Sequence, residues 1–131
     1  MITHLNFYAQ SIDFEAHRVL GIRPRGTSGD YELMFQAGLY SGTMQHATMN
    51  TSDLELLSHC LHFLDLPPKT TVQIGLDGVI YNLKYSLSSP PTERHYAWWS
   101  ELPPEWQALQ PVLDRLDELI FHSFQNHLFS E

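Results

Sequence analysis

The chain has 131 residues, 43% of them hydrophobic and 17% charged, which supplies enough apolar side chain for one self-supporting core and sets it apart from a disordered segment. Fifteen acidic residues against seven Lys and Arg give a formal net charge of -8 at pH 7; such a surface repels phosphate backbones and anionic headgroups, so neither nucleic acid nor membrane is an expected partner. A single cysteine, Cys60, excludes an internal disulfide. Residues 1–11 carry no basic stretch and no sustained apolar run, so no signal peptide is read there, and the expectation is one soluble, cytoplasmic domain over residues 1–131.

In chain order, residues 16–23, 31–40 and 43–49 read as three strands, joined at Arg25-Gly26-Thr27-Ser28-Gly29-Asp30 and at Ser41-Gly42. Tyr31, Leu33, Phe35, Ala37 and Leu39 show the period-two alternation of a half-covered strand. Ser52-Asp53-Leu54-Glu55 then has the pattern of a capping box and opens a helix that should end at Pro67. Leu54, Leu57, Leu61 and Leu64 make its apolar stripe, widened by Leu56, Cys60 and Phe63, so that Cys60 is expected to serve as packing rather than as a reactive thiol.

Asp77-Gly78 predicts a tight hairpin within residues 70–85, pairing Leu76 with Val79, Ile74 with Tyr81 and Val72 with Leu83 on one face. After Ser88-Ser89-Pro90-Pro91, residues 95–99 read as a further strand. The last helix opens at Pro103-Pro104-Glu105 and carries Trp106, Leu109, Leu113, Leu116, Ile120, Phe124 and Leu128 at helical spacing. Pro111 inside it predicts a kink, or a split into a short lead-in and a long second piece. The fold class is therefore α+β: an antiparallel meandering sheet of about six strands with two helices packed against it, in the order strands, helix, strands, helix.

Local chemistry is sparse. There is no Gly-x-Ser-x-Gly elbow, no Gly-x-Gly-x-x-Gly loop and no phosphate-binding Lys-Ser/Thr pair, so a protein without catalytic residues or cofactor is predicted. Glu55, His59 and His62 share a helix and have ligand chemistry, but they lie opposite the leucine stripe and lack a fourth ligand, so a solvated polar face is the preferred reading. Asp114, Asp117 and Glu118 read likewise as solvated charge, and His122 and His127 are five residues apart, too far around a helix to chelate together.

The densest feature is Tyr96-Ala97-Trp98-Trp99 followed by Trp106. Neighbouring Trp98 and Trp99 in a strand must point to opposite faces, so one packs under the terminal helix. The other either is covered by the N-terminal segment with Phe7 and Tyr8, or faces outward and anchors a partner. Trp98, Trp99, Tyr96 and Trp106 are the candidate partner-binding residues.

Ser52-Asp53-Leu54 through Phe63-Leu64-Asp65-Leu66-Pro67, then a hairpin centred on Tyr81, then a proline-led amphipathic helix make a layout over about residues 30–120. That layout resembles the emfourin-type bacterial inhibitors of thermolysin-like metalloproteases and, more loosely, immunity proteins of bacterial toxin systems. The resemblance implies a binder of a protein partner, of inhibitor or immunity type. A small-ligand or metal-binding protein with a pocket between sheet and helices, using His59, His62 or His95, is the alternative, and a homodimer is compatible with both.

Overall fold

In the computed structural model, residues 2–11, 17–26, 29–38, 43–67, 78–88 and 91–126 are described. Strands β1 (Ile2–Ser11), β2 (His17–Pro24), β3 (Tyr31–Ala37), β4 (Gln45–Met49), β5 (Val79–Ser88) and β6 (Pro91–Trp99) form one antiparallel sheet in the order β4-β3-β2-β1-β5-β6. Side-chain alternation sorts its residues into two faces. On one, Phe7 lies in register with Leu20 and Leu83, and the row continues to Phe35 and Tyr96. Beside it, Leu5, Ile22, Leu33 and Tyr85 make a second row, and all of these side chains are buried in the core.

The expected α+β class and element order are present, but the membership of the sheet differs from the sequence reading. One of its two central strands is β1, which that reading left without a strand assignment. A register shift between Ile2 and His4 allows Ile2 and Leu5 to be buried together. Strict alternation is thereby confined to a run too short to stand out. Residues 70–77, the expected first strand and turn of the Asp77-Gly78 hairpin, lie outside the described residues. Both edges of β5 are occupied by β1 and β6: Tyr81 stands opposite Ala9 and Trp98, and Leu83 opposite Phe7 and Tyr96, in place of the expected Ile74 and Val72.

Two helices pack on the buried face. Helix α1 (Thr51–His62) is capped by Asn50, whose side-chain oxygen accepts a 2.7 Å hydrogen bond from the Ser52 amide. The cap thus lies two residues before the expected Ser52, and the helix ends at His62 rather than at Pro67. It joins β4, at one edge of the sheet, to β5 beside β1. These two strands run parallel, so the chain crosses over β3, β2 and β1 here and the meander is interrupted once. Leu54, Leu57 and Leu61 enter the core, and the Ser58 hydroxyl accepts from the Ile2 amide at 3.3 Å.

The expected widening of this stripe is corrected. Leu56 is 48% exposed, Phe63 is 69% exposed and Cys60 is exposed, because at 3.6 residues per turn they point away from the 54, 57 and 61 positions. After β6, a 3₁₀ turn (Pro104–Leu109) leads into α2 (Gln110–Phe124); the short lead-in and long second piece are present, but the non-helical backbone lies at Trp106 (φ −111°, ψ 18°) rather than at Pro111. Pro111 sits in the first turn of α2, where its missing amide proton costs no helical bond. Val112, Leu113, Leu116, Leu119 and Ile120 are buried, and Phe124 stacks on Phe35 at 5.8 Å. Leu128 lies outside the described residues.

The core contains phenols that resist ionisation. Burial, followed by the neighbouring Tyr96, pushes Tyr85 far above the ordinary tyrosine range, and burial also raises Tyr81. A raised folded-state pKa means that the folded protein holds these protons more tightly than the unfolded chain. The associated stability is complete below about pH 10, the unfolded value, and is lost as pH rises above it. Urea midpoints measured from neutral to alkaline pH are expected to fall above about pH 10, with a shallower fall in Tyr85→Phe.

Candidate functional site

The adjacent tryptophans of β6 do point to opposite faces. Trp98 is 2% exposed, stacks on Tyr81 at 5.5 Å and touches Phe7 at 6.5 Å between ring centroids. Tyr96 is 7% and Trp106 4% exposed, and their rings meet edge to face at 5.3 Å. These three of the four candidate contact residues are core side chains and cannot anchor a partner directly, because the sheet and the helical layer enclose them. Trp99 alone reaches the outer face, where it is half-buried.

No described helix packs on that outer face, and the register defines its layout. Across one end run Thr48, Glu32, Arg23, His4, Ser86 and Glu93, with His46, Lys84 and His95 beside them. Hydrogen bonds from His46 and Arg23 hold the Glu32 carboxyl below the usual carboxylate range, and His95 bonds the Asn82 side chain at 3.0 Å. The other end is less polar: Val19 faces Tyr8, Asn82 faces Ala97, and Gln10 and Trp99 flank Ile80. There the Tyr8 ring meets His17 edge to face at 5.2 Å.

Trp99 is seated by local backbone geometry. Gly78 has φ of +137°, and a Cβ at that position would stand 2.9 Å from two carbons of the Trp99 ring. Only glycine lets the chain enter β5 in this conformation while the indole lies across it. Ser100, at φ 56°, then turns the chain out of β6, and its amide donates to the Val79 carbonyl at 2.8 Å.

The charge of the molecule is distributed away from this face. Helix α1 carries Asp53 and Glu55 without Lys or Arg, and α2 carries Asp114, Asp117 and Glu118 against Arg115. The outer sheet face combines Glu32 and Glu93 with Arg23 and Lys84 and includes four histidines, His4, His17, His46 and His95. The formal charges of its Arg, Lys and Glu side chains therefore cancel.

Glu55, His59 and His62 are all exposed on α1, and both imidazoles lie edge to face against Phe63. Among the described residues no three His, Cys, Asp or Glu side chains are grouped to hold a metal ion. Nor, among those residues, is any helix long and apolar enough to cross a membrane. His122 is exposed, and His127 lies outside the described residues.

Sequence reasoning missed Tyr8, Val19 and Ile80 as parts of this surface. They come from three strands, one of them unrecognised, and adjoin only through the register. Two of the small clefts formed by the described residues lie on the helix side. One, of about 190 Å³, is lined by Tyr81, Trp98, Ser100, Leu102, Gln110 and Leu113 and contains no charged side chain. The other, of about 200 Å³, lies between α1 and β6.

No family model, curated protein or solved structure matches this chain. What fold and surface together define is an α+β protein with one sheet face covered by acidic helices and the other covered by no described helix, carrying a tryptophan at its less polar end.

Proposed function

We propose that the chain is a non-catalytic protein-binding module, of inhibitor or immunity type, that docks its partner on the open sheet face around Trp99. The observation that supports this reading is the outward Trp99 with Ile80, Val19 and Tyr8 on a sheet face that no described helix covers. An aromatic side chain held half-buried on a rigid strand makes a large contact at little cost in side-chain entropy, which is how tryptophans act as interface anchors. The acidic helices lie on the other layer, where their like charge opposes self-association and leaves the face around Trp99 to the partner.

Affinity capture of the tagged protein from its native lysate tests the reading, with Trp99→Ala and the helix-side control Leu56→Ser run in parallel. A stoichiometric protein partner is expected with wild type and Leu56→Ser. Trp99→Ala is expected to weaken it by about 2 kcal/mol, roughly 30-fold in Kd. Undiminished capture by Trp99→Ala removes this face as the docking site, and the absence of any partner removes the binding-module reading itself.

A further inference from the structure

Helix α1 is apolar on two sides. Leu54, Leu57 and Leu61 face the core, whereas Leu56, Cys60 and Phe63 are exposed and fall within about 60° of one another around the helix axis, opposite the buried row. Single apolar side chains on a surface are ordinary, but three in line at helical spacing make a continuous stripe. A helix apolar on both sides has the pattern of one covered on both sides, and on α1 only the row towards the sheet is covered.

Phe63 is held ready for contact. Its amide donates to the His59 carbonyl at 3.3 Å, which carries the helical path one residue beyond His62, and its ring lies edge to face against His59 at 4.7 Å and His62 at 5.0 Å. A ring fixed in this way loses little side-chain entropy when another surface packs on it.

The flanks of the stripe decide what can pack there. Asp53 lies to one side of it, Glu55 to the other and Asp65 just past its end, while α1 contains no Lys or Arg. None of these carboxylates has an ion-pair partner among the described residues. A second copy of the chain would bring the same carboxylates against themselves, which like-charge repulsion opposes. A basic segment instead meets unpaired carboxylates around an apolar centre.

We infer that the outward side of α1 is a second docking surface, for an amphipathic helix whose apolar face is flanked by Lys or Arg. That helix lies along α1 with apolar side chains between Leu56 and Phe63 and over Cys60, and its cations reach Asp53, Glu55 and Asp65. Because α1 is on the opposite layer from Trp99, loss of either surface leaves the other intact.

The test titrates the full chain with a synthetic Leu/Lys peptide patterned as an amphipathic helix, and reads amide chemical shifts and affinity. The controls are its Leu/Glu counterpart and a Leu/Lys scramble of the same composition without helical patterning. Saturable shifts at Leu56, Cys60 and Phe63 are expected with the patterned Leu/Lys peptide, which should bind at least about tenfold tighter than either control. Leu56→Ser and Phe63→Ser keep the charge and should each weaken binding about tenfold; both positions are exposed, so an unchanged melting temperature should accompany the loss. Glu55→Gln should weaken binding less and reduce its dependence on salt. The inference is overturned if the scrambled peptide binds equally well, or if both serine variants bind as wild type does, since the attraction is then charge alone. Sedimentation of the chain by itself as a dimer that Phe63→Ser dissociates would assign this side to a second copy and also overturn it.

Discussion

Phe7→Ala is expected to lower the free energy of unfolding by about 3–5 kcal/mol, the usual cost of removing a buried ring from a core that cannot collapse around the void. Phe7 is fully buried on one of the two central strands, flanked in register by Leu20 and Leu83 and touching Tyr81 and Trp98 at 6.1 and 6.5 Å between ring centroids. A domain of this size has roughly 5–15 kcal/mol in all, so the variant should be barely folded. The neighbouring Tyr8→Ala, on the open face, is expected to cost only about 1 kcal/mol. Urea denaturation of the pair checks the facing of β1: equal losses at the two positions would contradict the register described above.

Trp106→Ala should cost a similar amount, about 3–5 kcal/mol, for a different structural reason. Trp106 joins three segments distant in sequence: its indole N–H donates to the Pro67 carbonyl at 2.7 Å, its ring meets Tyr96 of the edge strand, and its backbone belongs to the 3₁₀ turn that leads into α2. Removing it therefore loosens the exit of α1, the edge strand and the start of α2 together. Trp106→Phe retains much of the apolar contact and loses the hydrogen bond, for an expected cost nearer 1 kcal/mol. Near-uniform losses in the two variants would show that the Pro67 bond, rather than the buried ring, carries the stability.

The elements that were legible in the sequence are those whose determinants are local. The alternation through Tyr31, Leu33 and Phe35 and the spacing of Leu113, Leu116 and Ile120 each follow from one segment's own periodicity, and each is present in the structure. The opposed facing of Trp98 and Trp99 was legible for the same reason, since successive side chains of any strand alternate. The Asn50 cap was missed because Ser52 and Glu55 offer an equally good local pattern, and the choice between them is set by where β4 ends.

What the amino-acid sequence determined by itself was the class of fold and the pairing of one inward and one outward tryptophan, because steric and periodic rules act within a few residues. Tertiary structure alone decided which element is central, which side of α1 faces the sheet and which tryptophan faces out. A weakly patterned segment such as Ile2–Ser11 becomes the middle of the sheet only because β2 and β5 both pair with it. Leu56 and Phe63 are as apolar as Leu57 and Leu61, yet only one side of a helix can meet a sheet, so the first two remain in solvent and the others enter the core. The same holds for the outer face of the sheet: Tyr8, Ile80 and Trp99 adjoin there only through strand register, a relation set by long-range hydrogen bonds rather than by the local sequence.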